Sequence, residues 1–294
     1  MRVAVLGATG TIGRVLVPAL AREHEVVAIS RSGSTPTADR VTPRALDASD
    51  RDALGDALDG VEIAYHLVHS LGASDFEQRD RLVADAVAGT AAEAGVRQIV
   101  YLGGLGDDPE SLSPHLRSRA ETGVCLERGP VPVTTLRAAM IVGAGSAAFE
   151  TIVALVERLP GMICPRWVSV ATQPIALGDV VRYLVEIPGV EQAAGQRLDV
   201  GGPEVMTYRQ MMERIARLLE RRPLIVEVPV LTPRLSSLWL HLVTPVQASV
   251  ARPLVEGMRY PTVVRDARIR AWLPFEPAQF ETAVRAALAI RARG

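Results

Sequence analysis

Within its first thirteen residues this chain passes from an apolar run, Met1-Arg2-Val3-Ala4-Val5-Leu6, into glycines spaced by three, Gly7, Gly10 and Gly13. An apolar-periodic segment follows at once and continues to about Arg22. Strand, glycine turn and helix in immediate succession leave few alternatives. Glycine lets the backbone turn sharply and be approached closely, and the first N–H groups of a helix have no partner within it. Together they make a seat for a negatively charged pyrophosphate. Thr9, Thr11 and Ile12 belong to the same turn and share that assignment. A dinucleotide is the expected ligand.

What the chain lacks narrows its chemistry. None of the 294 residues is lysine or asparagine, so all 32 residues counted as Lys or Arg are arginine. A Walker lysine, a Schiff-base lysine and a Tyr-x-x-x-Lys pair are therefore excluded. The formal net charge is −1, and arginines alternate with acids, as in Arg79-Asp80-Arg81 and Glu213-Arg214. Such alternation reads as a solvated surface and argues against a nucleic-acid partner. Cys125 and Cys164 stand alone, with no histidine at metal-ligand spacing, and read as reduced core thiols of a cytoplasmic protein without a metal site. No apolar run approaches the roughly 18 residues of a membrane span, and because the first strand starts at Met1 no secretory signal is expected.

Strands and helices alternate up to residue 145. Strands are expected at 1–6, 25–29, 41–46, 62–68, 96–102 and 131–136, with helices at 50–58, 76–94 and 114–128. Continuously apolar strands separated by helices predict a doubly wound parallel α/β sheet of the Rossmann type over residues 1–145. Over 146–294 the rhythm loosens into a smaller α+β lobe, woven onto the first and expected to cover the substrate. Helices are expected there at 149–159, 178–186, 208–221 (capped by Thr207) and 277–291, and strands at 168–171, 174–177, 197–200 and 224–228. The segment 233–258 is unusually apolar for an outer element. It suits either the cover of a small apolar substrate or helix packing and a homodimer face.

Several of these motifs together resemble one superfamily. They are Gly7-x-x-Gly10-x-x-Gly13 after the first strand, Asp47 after the third, Tyr101-Leu102-Gly103-Gly104 ending the fifth, Pro174-Ile175-Ala176 before Asp179-Val180, and Gly201-Gly202-Pro203 before a helix. The chain is similar to the extended and atypical short-chain dehydrogenase/reductases, and within them to the NmrA-like NAD(P)H-binding oxidoreductases. Segments 66–70, 113–119 and 231–237 look like one bacterial branch of these. The resemblance implies Asp47 and Ala48 beside the adenine, and His66, Leu67 and Val68 along the middle of the cofactor.

An acid at the end of the second strand would mark NAD, because it would hold the ribose 2′-hydroxyl. Here that place reads Ser30-Arg31-Ser32, and Arg14 follows the last glycine. Guanidinium forks match phosphate oxygens. NADP(H) is therefore preferred, with NAD(H) open.

Short-chain dehydrogenases move the proton with a tyrosine and hold the nicotinamide ribose with a lysine four residues on. The resemblance puts His115 at the tyrosine position, Arg119 at the lysine position, and Gly103 or Gly104 where a serine is usual. The standard mechanism is absent. One reading keeps hydride transfer to a hydrophobic carbonyl, quinone or activated alkene, with His115 or His69 as proton donor and Arg119 on the cofactor. Tyr65 and Tyr101 are weaker candidates, since strand tyrosines usually belong to the core. A second reading is an NADP(H)-binding redox sensor without turnover. A nucleotide-sugar epimerase or dehydratase ranks third, because those enzymes keep the missing tyrosine and lysine.

Overall fold

A computed structural model describes residues 1–35, 38–70, 73, 75–106, 113–228, 254 and 256–293. Its centre is a seven-stranded, wholly parallel sheet. The strands are β1 (Arg2–Leu6), β2 (Glu25–Ser30), β3 (Val41–Ala45), β4 (Ile63–His66), β5 (Gln98–Gly104), β6 (Val133–Ala138) and, from far along the chain, β11 (Arg197–Val200). Their spatial order is β11-β6-β5-β4-β1-β2-β3, which reverses direction between β1 and β4. Ligands of open parallel sheets bind at such a reversal, outside the carboxyl ends of the strands.

Strand alternation sends successive side chains to opposite faces, and both are covered. On one face Val3, Val5, Val26 and Ala28 pack with Leu16, Val17 and Leu20 of α1 (Gly13–Leu20) and with Val180, Val181 and Leu184 of α6 (Leu177–Glu186). On the other, Ala4, Leu6, Val27 and Ile29 meet α2 (Arg51–Leu58), α3 (Phe76–Glu93) and α4 (Pro114–Glu127) through Leu54, Leu58, Val83, Val87 and Leu126. Cys125 lies in this core as a free thiol, and Cys164 is a buried free thiol elsewhere. Asp50 caps α2 by accepting from the Ala53 N–H at 3.1 Å, and Ser113 caps α4 by accepting from Leu116 at 3.3 Å.

The outermost strand departs from the expected apolar pattern. β3 reads Val-Thr-Pro-Arg-Ala with four of its five residues exposed, and it can carry Pro43 because an edge strand leaves one side of its backbone unpaired.

Beyond residue 145, α5 (Ala147–Arg158), α7 (Tyr208–Leu218) and the C-terminal helix Phe280–Arg291 share a second core around Phe149, Ile152, Met211, Ile215 and Val284. Thr207 caps α7 in a reciprocal capping box with Gln210. Small two-stranded pairings surround this core: β7 (Ile141–Val142) with β10 (Ile175–Ala176), β9 (Ala171–Thr172) with β12 (Met206–Thr207), and β8 (Gly161–Pro165) with β13 (Leu224–Val228). The expected strand at 168–171 is instead a 3₁₀ turn, Arg166–Ser169, followed by the two residues of β9. β8 and the short helix Arg268–Trp272 escape a sequence reading, since one is only five residues with a proline before it and another at its end, and the other lies among arginines. The apolar stretch 233–258 lies outside the described residues except for Leu254 and 256–258.

The C-terminal segment is fastened to the sheet by a buried carboxylate. Asp199 of β11, with no side-chain exposure, takes an ion pair from Arg137 of β6 at 2.6 Å and accepts the backbone N–H groups of Arg265 and Asp266 at 3.1 and 3.2 Å. Removing one partner of a buried pair strands the other groups without compensation. Asp199→Ala should therefore destabilise the protein by about 3 kcal/mol, measured as a lower urea midpoint at unchanged slope.

Candidate active site

The glycine turn is held by its surroundings. The N–H groups of Gly7 and Ala8 both donate to the Ile29 carbonyl, at 3.0 and 3.1 Å, and Gly10 donates to the Gly7 carbonyl at 3.0 Å. Gly7 has φ +88°, and a Cβ there would lie 2.9 Å from the backbone of Leu67. A Cβ on Gly13 would lie 2.4 Å from the Gly7 carbonyl oxygen. Both positions require glycine, and the cradle they form fits a pyrophosphate at the start of α1.

The turn opens into a cavity of about 840 Å³ that runs along the carboxyl ends of β1, β2, β4 and β5. One end is walled by Ser30, Arg31, Asp47, Ala48 and Arg79, the middle by Gly7, Thr9, Gly10, Thr11, Ile12, Gly13, Leu67, Val68 and Gly103. The far end carries His69, His115 and Arg119 against an apolar wall that includes Leu105, Met140, Ala148 and Met258. Asp47 accepts from the Ser49 N–H at 3.0 Å and its hydroxyl at 2.7 Å; these bonds, together with the charges of Arg31 and Arg79, hold its carboxyl below the usual range.

Three residues assigned to the cofactor lie off this wall. Arg14 is exposed and folds back, its Nε donating to the Thr9 carbonyl at 2.8 Å, so it braces the turn from outside rather than joining Arg31. Ser32 is exposed beyond the cavity rim. His66 ends β4 buried at 1% exposure, its ring 5.7 Å from that of Tyr101. Burial, reinforced by the charge of Arg119, depresses its pKa to about 3. His66 and His69 thus face different surroundings. Tyr101 is a core residue, its hydroxyl donating to the Arg119 carbonyl at 2.8 Å, and Tyr65 is buried in the opposite core.

At the far end four ionisable side chains converge. His69 Nδ1 lies 3.3 Å from Asp80 Oδ2, and the rings of His69 and His115 are 5.1 Å apart at an interplanar angle of 32°. Asp80, on α3 and 2% exposed, also accepts from the Ser70 N–H at 2.9 Å and the Ser118 hydroxyl at 3.3 Å. Burial would raise its carboxyl, but the hydrogen bonds from His69 and Ser70 and the charges of His69 and Arg119 outweigh that and lower it. Burial lowers His69, and it lowers His115 to about 3 with help from the charges of His69 and Arg119. Arg119 donates to the Leu102 carbonyl and covers the Tyr101 ring, its guanidinium carbon 5.1 Å from the ring centre. Among the described residues no group of three His, Cys, Asp or Glu could hold a metal ion.

Sequence reading missed Asp80 and Arg79. Arg79-Asp80-Arg81 looks like solvated charge alternation, yet on a helix these neighbours point about 100° apart. The available signal was the spacing 80, 83, 84 and 87, which places Asp80 on the same buried stripe as Val83, Ala84 and Val87.

Comparison with known proteins agrees with this geometry. Residues 7–127 match a family model described as NAD(P)H-binding. The Arabidopsis thaliana protein named NADH dehydrogenase [ubiquinone] 1 alpha subcomplex subunit 9, mitochondrial, is 23% identical over 76% of this chain, which spans 60% of that relative's length. A nucleoside-diphosphate-sugar epimerase from Staphylococcus aureus has the same fold (TM-score 0.78, 15% identity, 97% of this chain and 99% of that one). So does the Bordetella bronchiseptica enzyme WbmG in complex with NAD (TM-score 0.70, 16% identity, 98% and 93%). The chain has the Rossmann-type α/β fold of these structures. Among the described residues no helix is long and apolar enough to cross a membrane.

The buried imidazole of His66 makes stability depend on pH. A histidine with pKa 6.5 when unfolded and about 3 when folded leaves the unfolded state binding more protons as pH falls below 6.5. The contribution of neutral His66 is complete above pH 6.5 and is lost towards pH 3, at up to about 1.4 kcal/mol per pH unit. Thermal melts of wild type and His66→Leu between pH 7.5 and 4.5 should show a shallower acid decline in the variant.

Proposed function

We propose that this protein is an NADP(H)-preferring oxidoreductase that acts on a small apolar carbonyl, quinone or activated alkene, with residues 146–294 covering the substrate. The observation that carries the reading is the continuity of one cavity from the glycine cradle to an imidazole pair set against an apolar wall. A bound nicotinamide dinucleotide supplies or accepts the hydride. Gly7, Gly10 and Gly13 would seat its pyrophosphate, Asp47 and Ala48 its adenine, and Arg31 a ribose 2′-phosphate. At the far end His69 or His115 would exchange the proton, each presenting a neutral imidazole whose pKa burial has lowered. Arg119 keeps guanidinium donors beyond the one given to Leu102 and would hold the ribose or a polar substrate atom. Leu105, Met140, Ala148 and Met258 would exclude water from the reacting centre and favour an apolar substrate.

Calorimetric titration with NADPH and NADH, followed by absorbance at the nicotinamide band with a panel of quinones and enones, tests this reading. Quinones come first because the plant relative is named a subunit of an NADH dehydrogenase [ubiquinone]. Tight NADPH binding with oxidation supports the oxidoreductase; tight binding without oxidation by any acceptor redirects it to a redox sensor.

Two substitutions locate the roles. Arg31→Ala should weaken NADPH binding about 30-fold, the loss of a charge-assisted phosphate contact of about 2 kcal/mol, and leave NADH affinity unchanged. Equal losses for both dinucleotides reject the 2′-phosphate assignment. His115→Ala should lower kcat by at least about 100-fold at unchanged NADPH affinity, and undiminished turnover removes His115 from the mechanism.

A further inference from the structure

We infer that Asp80 is a positioning residue that fixes His69 as the tautomer with its proton on Nδ1, leaving Nε2 as the atom that exchanges a proton with substrate. The inference rests on the proton-transfer role proposed for His69.

The donors around one carboxylate are fixed by the fold. Asp80 is 2% exposed and accepts at both oxygens: Oδ1 from the Ser70 backbone N–H at 2.9 Å, Oδ2 from Ser118 at 3.3 Å and facing His69 Nδ1 at 3.3 Å. An ionised carboxylate can only accept, so a neutral imidazole against it must carry its hydrogen on Nδ1. No described residue bonds Nε2, and the ring lies on the cavity wall. His69 therefore meets a ligand through a basic nitrogen. Its titratable and charged neighbours come from both packed elements: Asp80 of α3 favours the imidazolium, Arg119 of α4 opposes it, and the His115 ring of α4 lies 5.1 Å away.

The proton balance follows. When an alcohol is oxidised, its O–H bond breaks, the proton passes to Nε2, the O–H electron pair becomes the second C–O bond, and hydride leaves the carbon for the oxidised nicotinamide dinucleotide. The imidazolium is held against Asp80 and releases its Nε2 proton to water. Reduction runs the same transfers backwards and draws on the imidazolium form. The arrangement has the logic of a carboxylate that orients a catalytic imidazole without itself becoming protonated.

Asp80→Asn separates this role from simple packing. A side-chain amide offers one acceptor and one donor group. The Ser70 backbone N–H can only donate, so the amide oxygen must stay at the Oδ1 place and the NH₂ must face Ser118 and His69. The serine hydroxyl can reverse its role; the imidazole must then present a bare Nδ1 and carry its proton on Nε2. Asp80→Asn thus conserves shape and inverts the tautomer.

The test is a long-range ¹H–¹⁵N correlation spectrum of the full chain labelled at histidine, recorded without dinucleotide or substrate at pH 7.5, with the His69 signals assigned by their loss in His69→Gln. Wild type should show a protonated Nδ1 and a bare Nε2, Ser118→Ala the same pattern, and Asp80→Asn the two signals exchanged. A protonated Nε2 in wild type, or an unchanged pattern in Asp80→Asn, overturns the inference. The wild-type spectrum decides alone should Asp80→Asn not fold. Because no turnover is read, failure here is distinct from failure of the oxidoreductase reading, which the NADPH and acceptor titrations decide.

Discussion

Everything in this protein is arranged around a close approach of two backbones at the carboxyl ends of β1 and β4. Gly7 turns the chain out of β1 with a positive φ and lies so near the Leu67 peptide that no side chain fits between them. The two strands are sheet neighbours in parallel register, and the chain leaves them towards opposite edges of the sheet. The crevice opened by that divergence is where the cavity runs, with the glycine turn and the start of α1 on its wall. Strand order, glycine turn and helix start are thus one constraint with several faces.

Most of the first half could be read from the residues, because local pattern and tertiary environment agree there. Apolar strands such as Val3 to Leu6 are buried on both faces and look so in one dimension. Legibility failed where a residue's setting depends on a distant element. Arg14 looked like a phosphate ligand by position, yet its nearest acceptor is the Thr9 carbonyl of its own turn. Asp80 looked solvated because its sequence neighbours are arginines, while its surroundings are made by Ser70 and Ser118, from a loop and another helix. The two strand-four histidines, identical in type and three apart, were divided by the end of β4: His66 is inside the sheet and His69 is past it.

The second half shows a different relation between sequence and structure. Around its helical core lie short elements, five-residue strands and 3₁₀ turns, whose burial patterns are too brief to produce a clear period. What can be read is capping, as at Thr207, and the long amphipathic faces of α7 and the C-terminal helix. The apolar wall at the far end of the cavity draws on both halves, from Leu105 and Met140 to Met258, so its chemistry is a product of assembly and not of any single motif.

The fastening of the C-terminal segment bears on the order in which the site comes into being. Thr262 bonds Thr172, Val264 donates to Gln173, and the next two N–H groups close on Asp199. Domains fold as their residues leave the ribosome, N-terminal parts first. The glycine cradle is synthesised well before Met258 and Thr262, which also line the cavity. A nascent chain therefore carries the glycine cradle long before the far wall of the cavity can close over it.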